Sequence, residues 1–188
     1  MTNIKKFMNL ICHITGIATT TANFVEHAGS LRVLDTRKTT PGLRALEKYA
    51  VRMGGGFNHR MGLDGGILIK ENHIASAGSV EAAVTKARIQ APHSLKIQCE
   101  VTSLEEAERA VAAGADALLL DNMSNALLEQ CALAHGEKTF LEASGNMTLE
   151  RIKTLAPLAE KGLHAVSVGA LIHSRPYADL SMRMTLSP

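Results

Sequence analysis

Short apolar runs alternate with segments of helical period along most of this chain, and nearly every apolar run ends in a polar residue or a glycine. The runs Leu31–Leu34, Ile67–Ile69, Lys96–Val101, Ala117–Leu120, Thr139–Ala143 and Ala165–Val168 read as strands. Leu43–Met53, Val80–Ile89, Leu104–Ala113, Asn125–Ala134 and Leu149–Leu158 read as helices, with Ser103 and Glu106 predicted to form a capping box. Strict β-then-α alternation predicts a parallel sheet covered by helices. About six such units in one domain of 188 residues fit an α/β fold of the TIM-like (β/α) barrel kind, small or incomplete. An open doubly wound sheet is the competing architecture. It is disfavoured because no Gly-x-Gly-x-x-Gly follows the first strand.

In a barrel, residues that follow strands meet at one rim, where barrel enzymes keep their sites. Here those residues are Arg37 and Lys38, Lys70, Glu100, Asp121, Ser144, and Ser167 with Gly169. Bulk composition excludes other roles. A formal net charge of +2 is too small for a general polyanion binder, and 3% aromatic content with no Trp disfavours a stacking platform, so no nucleic-acid partner is expected. No apolar window reaches a membrane span, and the start, Met1-Thr2-Asn3-Ile4-Lys5-Lys6, lacks the apolar core of a secretory signal. Cys12, Cys99 and Cys131 are widely spaced and form no zinc-ligand pattern, which suits a reducing cytoplasm.

The run Asp35-Thr36-Arg37-Lys38-Thr39-Thr40-Pro41-Gly42 sets two cations between a strand end and a turn. Arg37 can grip a carboxylate or phosphate bidentately, and Lys38 supplies a mobile point charge. Arg60 and Lys70 repeat the theme, against the plain alternative of solvated loop cations. Gly54-Gly55-Gly56 permits close backbone approach to a ligand or positive φ, or is simply a flexible turn. His59 can donate to an anion or serve structure alone. Asn72 and His73 are expected to make local loop hydrogen bonds. Glu100 and Asp121 suit sugar hydroxyls or a Mg²⁺ carried by phosphates, or else neutralise nearby cations. Ser144-Gly145-Asn146 and Ser167-Val168-Gly169 expose backbone N–H groups fit for a phosphate, or are tight turns; His173 could cap the same phosphate.

In this order, these motifs resemble the quinolinate phosphoribosyltransferase family, also called nicotinate-nucleotide pyrophosphorylase. The resemblance runs from Asn9-Leu10 and Thr15–Thr19 through Asp35–Arg44, Gly54–Arg60, Leu68–His73, Leu120-Asp121-Asn122, Leu141–Gly145 and Ser167–Leu171 to Asp179-Leu180-Ser181. It implies transfer of a phosphoribosyl group from phosphoribosyl pyrophosphate to quinolinate with decarboxylation. The products are nicotinate mononucleotide, CO₂ and pyrophosphate, in NAD biosynthesis with Mg²⁺. It further implies that Arg37, His59, Arg60 and Lys70 bind the quinolinate carboxylates, and that Lys38 and Lys70 meet the pyrophosphate. Glu100 and Asp121 would hold ribose hydroxyls and the metal environment, and Ser144, Gly145, Gly169 and His173 the 5′-phosphate. Thr36, Asn146, Ser167 and Val168 complete the expected substrate contacts, and Lys38, Lys70, Glu100 and Asp121 are the expected catalytic group.

The family carries an N-terminal α/β sandwich domain ahead of its barrel, and the reading of this chain is a barrel domain over 1–188 without it. The resemblance implies a homo-oligomer or a separately encoded N-terminal domain as partner. Ile4-Lys5-Lys6-Phe7-Met8-Asn9 stands where the family usually reads Glu-Arg-Thr-Ala-Leu-Asn. The stretch Tyr177–Met184 is expected to leave an exposed apolar edge. Other readings are an inactive truncated remnant, an anion-binding module, or a relative associated with molybdenum transport. Lys70-Glu71-Asn72-His73 argues against the last.

Overall fold

The computed structural model describes residues 2–183. Six strands form one sheet in the order β1-β6-β5-β4-β3-β2. They are β1 (Arg32–Leu34), β2 (Ile67–Ile69), β3 (Ile97–Val101), β4 (Ala117–Asp121), β5 (Phe140–Ser144) and β6 (Ala165–Ser167). Every pairing is parallel. The order is that of a barrel left open between β1 and β2. Beside β1, on that open side, the Phe57 amide donates to the Val33 carbonyl at 2.8 Å and its carbonyl accepts from Asp35 at 3.1 Å. One residue thus does the work of a further strand.

The helices are α1 (Thr2–His27), α2 (Arg44–Met53), α3 (Glu71–Ala77), α4 (Val80–Gln90), α5 (Leu104–Ala112), α6 (Asn125–His135), α7 (Leu149–Leu155) and α8 (Ala170–His173). Ser79, Ser103, Ser124 and Thr148 cap α4 to α7 by accepting an amide three residues on. The predicted capping box is half present. Glu106 accepts the Thr102 amide at 2.7 Å rather than that of Ser103. The predicted helix Leu149–Leu158 stops at Leu155 and tightens into a 3₁₀ turn over Ala156–Lys161, because Pro157 has no N–H to continue it.

Alternation along β3 shows how the barrel is filled. Ile97, Cys99 and Val101 are fully buried against the helices, while Gln98 and Glu100 take the inner face. Leu118, Leu120 and Leu141 extend the same outer layer, each worth about 2 kcal/mol of burial.

Three helices were not expected from the sequence: α1, α3 and the single turn α8. The first, α1, carries Gly16 and the β-branched run Thr19-Thr20-Thr21, which blur a helical pattern. Tertiary packing holds it: Ile17 is fully buried, Phe24 nearly so, and the buried Thr21 hydroxyl donates to the Ile17 carbonyl at 2.8 Å. The second, α3, buries no residue and so gives no apolar stripe to read.

The segment after α8 returns to α1. Ala178 N–H donates to the Cys12 carbonyl at 3.0 Å, and Gly16 lets the Pro176 backbone approach where a Cβ would collide. Tyr177, Leu180 and Met182 remain exposed, as expected of an apolar edge, though the strap is tied down at Ala178. Met184 of that stretch lies outside the described residues. Among the described residues no helix is long and apolar enough to cross a membrane.

Candidate active site

The strand ends open onto a cavity of about 910 Å³. Thr36, Arg37 and Lys38 reach it after β1, and His59 and Arg60 from the loop that passes Phe57. Leu68 and Lys70 reach it from β2, Glu100 from β3, and Leu119, Asp121 and Asn122 from β4 and its end. Ser144 ends β5 and Gly145 to Thr148 follow it, while Ser167 ends β6 and Gly169, Ala170 and His173 follow it. Residues far apart in sequence therefore meet because parallel strands all end on the same side.

The cationic loops are held from below by a dry ion pair. Lys48 on α2 and Asp35 after β1 are both almost fully buried, with Nζ 2.5 Å from Oδ1. The same Asp35 oxygen accepts the His59 amide at 2.8 Å, the other accepts from Asn58 Nδ2 at 2.6 Å, and Lys48 donates to the His59 carbonyl at 3.0 Å. His59 and Arg60 are thereby locked to the end of β1. Arg44 does the same for the neighbouring loop, donating to Thr39 Oγ1 and to the Arg37 and Met61 carbonyls. The buried Glu47 accepts the Thr40 amide at 2.9 Å. Across the cavity, Arg151 donates to the carbonyls of Gly145 and Met123, joining the loops after β5 and β4.

Four cations (Arg37, Lys38, Arg60, Lys70) face two carboxylates (Glu100, Asp121), an excess of two positive charges before any histidine is counted. Lys70 pairs with Glu100 at 3.1 Å. Among the described residues, Arg37, Lys38 and Arg60 sit in no ion pair. Burial, and then the neighbouring Arg37, lower the Arg60 guanidinium from its ordinary value. Its Nη1 donates to the Gly66 carbonyl at 2.5 Å, and its buried Nε has no partner. A buried donor left open beside a second cation is suited to an anionic ligand.

Asp121 accepts from Ser144 Oγ at 2.5 Å and from Asn122 Nδ2 at 2.7 Å. Gly145 sits at φ +89, and a Cβ there would run into the Asn122 side chain, so glycine is required at this turn. Burial, with Glu106 and Glu100 nearby, pushes the Cys99 thiol up to about 12, which removes it as a nucleophile.

Of the predicted substrate contacts, Val168 alone stays out of the cavity. Its side chain is in the core and its amide donates to the Leu34 carbonyl at 2.9 Å. Ser167, before it, takes the inner face instead. The triple glycine also serves a different end. Cβ atoms at Gly54 and Gly56 would collide with α1 around Ala18 and Thr21, and Gly55 has φ +83. It is a helix-packing turn, not a ligand loop. His73 makes the expected local hydrogen bond, accepting the Lys70 amide at 2.9 Å, but within α3 rather than a loop. Asn122, Met147 and Thr148 line the cavity without having been singled out. Their signal was available, since each follows a strand end already marked.

Fold and cavity together define a parallel (β/α) barrel, open on one side, with a mouth of net positive charge. Residues 17–183 match the family model "Quinolinate phosphoribosyl transferase, C-terminal domain". The chain belongs to that family. It is 45% identical over 182 residues to the probable carboxylating nicotinate-nucleotide pyrophosphorylase of Bacillus subtilis, covering 96% of this chain and 62% of that protein. To the Homo sapiens carboxylating nicotinate-nucleotide pyrophosphorylase it is 38% identical, covering 94% of this chain and 61% of the other. A crystal structure of NadC from Streptococcus pyogenes superposes with a TM-score of 0.89 at 45% identity, over 94% of this chain and 62% of that one. The chain thus spans about three fifths of the length of these relatives.

Proposed function

We propose that this chain forms the catalytic barrel of a quinolinate phosphoribosyltransferase. The observation that carries the reading is the convergence of Arg37, Lys38, Arg60 and Lys70 on one cavity, three of them without an anionic partner among the described residues. Quinolinate carries two carboxylates, which Arg37, His59, Arg60 and Lys70 would bind, with Thr36 beside them. Asp121 and Glu100 face the same space and would take ribose hydroxyls. Ser144, Gly145, Asn146, Ser167, Gly169 and His173 would seat the 5′-phosphate, with Gly169 beside Lys38.

The chemistry follows from that placement. The pyridine nitrogen attacks C1 of the ribose while the C1–O bond to pyrophosphate breaks, and Lys38 and Lys70 stabilise the departing charge. The quaternised ring then draws in the electron pair freed at C2 as CO₂ leaves, and C2 takes up a proton. Holding the ring in place is most of what that second step asks of the protein.

The residues fit a Mg²⁺ bound mainly through substrate phosphates. Glu100 and Asp121 are two hard oxygen donors, and no group of three His, Cys, Asp or Glu side chains forms a complete cage among the described residues. When bound, such an ion would neutralise pyrophosphate charge. Three free cysteines suit a reducing compartment such as the cytoplasm.

The test is turnover. The purified chain is incubated with quinolinate, phosphoribosyl pyrophosphate and Mg²⁺, alone and with an N-terminal domain from a relative, and loss of quinolinate absorbance is followed. Stoichiometric formation of nicotinate mononucleotide and CO₂ supports the reading. Binding of both substrates without turnover under either condition reduces the chain to an anion-binding module.

A further inference from the structure

Beneath the cavity, behind His59, is a buried carboxylate that the reading above does not use. Glu142 lies on β5 two residues before Ser144, on the same inner face, and is 2% exposed. Its Oε2 accepts from Gln98 Nε2 at 2.8 Å and lies 3.5 Å from His59 Nε2. Its Oε1 is buried and has no partner. A carboxylate taken out of water with one oxygen unmatched is costly unless charge or a donor answers it. Among the described residues, the side chains that contact it are Gln98 from β3 and His59 from the loop beside β1, and of the two His59 alone can carry a positive charge.

His59 is held by its main chain at both ends, through its amide to Asp35 and its carbonyl to Lys48. Neither contact sets the rotation of the imidazole ring. Among the described residues, neither ring nitrogen makes a hydrogen bond, and the one carboxylate within ion-pair reach is Glu142, 3.5 Å from Nε2. The ring lines the cavity. A histidine whose Nε2–H is committed to a carboxylate can donate from Nδ1 only as imidazolium, with a proton on each nitrogen. Glu142 is the acceptor within reach of Nε2, and Nδ1, on a ring that lines the cavity, is without a partner among the described residues.

We infer that Glu142 is a positioning residue that accepts the His59 Nε2–H and turns Nδ1–H toward a carboxylate of the ligand. Gln98 in turn fixes the Glu142 head group. The identity of the ligand rests on the quinolinate reading; the Glu142–His59 coupling does not.

The experiment uses the full chain, its Glu142→Gln and His59→Asn variants, and the double variant. Quinolinate is titrated into each calorimetrically, and imidazole N–H signals are read by ¹⁵N-edited NMR without ligand. Glutamine keeps the size of the side chain and removes its charge. Each single variant is expected to lose about tenfold in quinolinate affinity. The double variant should lose little more than either, because one residue acts through the other. The wild-type chain should show a downfield N–H signal that is absent in His59→Asn and moves upfield in Glu142→Gln. Additive losses, or a His59 signal unmoved by Glu142→Gln, overturn the inference. Absence of quinolinate binding by the wild type counts against the ligand reading alone, and the NMR signal still decides the coupling. If the glutamine variant does not fold, Glu142→Asp must displace the same signal for the inference to stand.

Discussion

Lys38 and Lys48 lie on adjoining segments and meet opposite fates. Lys48 is 1% exposed and makes two hydrogen bonds, to Asp35 and to the His59 carbonyl. Lys38 lies exposed at the cavity mouth and has no ion-pair partner among the described residues. The buried cation is fully answered by protein groups, so it serves architecture. The mouth cation is left open, so it can serve a ligand. Satisfaction of charge, rather than its presence, separates the two roles.

Breaking the buried pair should have the largest effect. Asp35→Ala strands the Lys48 ammonium and two other donors, and should lower unfolding free energy by about 3–5 kcal/mol in a urea titration. A loss below about 1 kcal/mol, within the range of an exposed ion pair, would erase the contrast between the two lysines.

At the mouth the balance should reverse. Arg60→Ala should weaken quinolinate binding by about 30-fold, near 2 kcal/mol, as for a lost charged hydrogen bond. The melting temperature should fall much less than in Asp35→Ala, because no ion pair is broken and only the hydrogen bond to the Gly66 carbonyl is lost. Collapse of the fold in that variant would place Arg60 with Lys48 instead. Asp121→Ala should weaken phosphoribosyl pyrophosphate by about tenfold and blunt the Mg²⁺ dependence of binding. If both stay unchanged in calorimetry, Asp121 is only the acceptor for Ser144 and Asn122.

The smallest effect should appear away from both regions, at Asp116. Burial raises its carboxyl, but the Ile97 amide and Arg88, both at 2.8 Å, outweigh burial and leave it below its ordinary value. A lowered folded-state value stabilises the fold above the unfolded value, and that share is lost as pH falls below about 4 through the folded value. Asp116→Asn should therefore lose that share, a small one, at neutral pH and flatten the acid limb of a stability–pH curve, so that the two proteins converge in acid. An unchanged acid limb would remove the assignment.

All six strands were legible as short apolar runs, because outward-facing residues pack against helices and the polar ends are abrupt. The mouth was legible for the same reason. A residue just past a parallel strand has few places to go but the rim. Supporting residues were less visible. Asp35 and Lys48 look like ordinary polar positions until the fold brings α2 under β1. Glu142 sits inside an apparently apolar run, Leu141-Glu142-Ala143, yet strand alternation puts it on one face with Ser144. That period was the signal for a carboxylate inside the barrel. The role of Gly54 to Gly56 could not be read locally, since their neighbour is α1, more than thirty residues earlier in its closest contact, Ala18.

The most direct test of the central claim is a crystal structure of this chain with quinolinate and a non-reactive phosphoribosyl pyrophosphate analogue. The account predicts the pyridine dicarboxylate against Arg37, His59, Arg60 and Lys70, with the sugar phosphate between Asp121 and the Ser144–Asn146 turn. Density for either ligand elsewhere, with the mouth cations solvated, would contradict it.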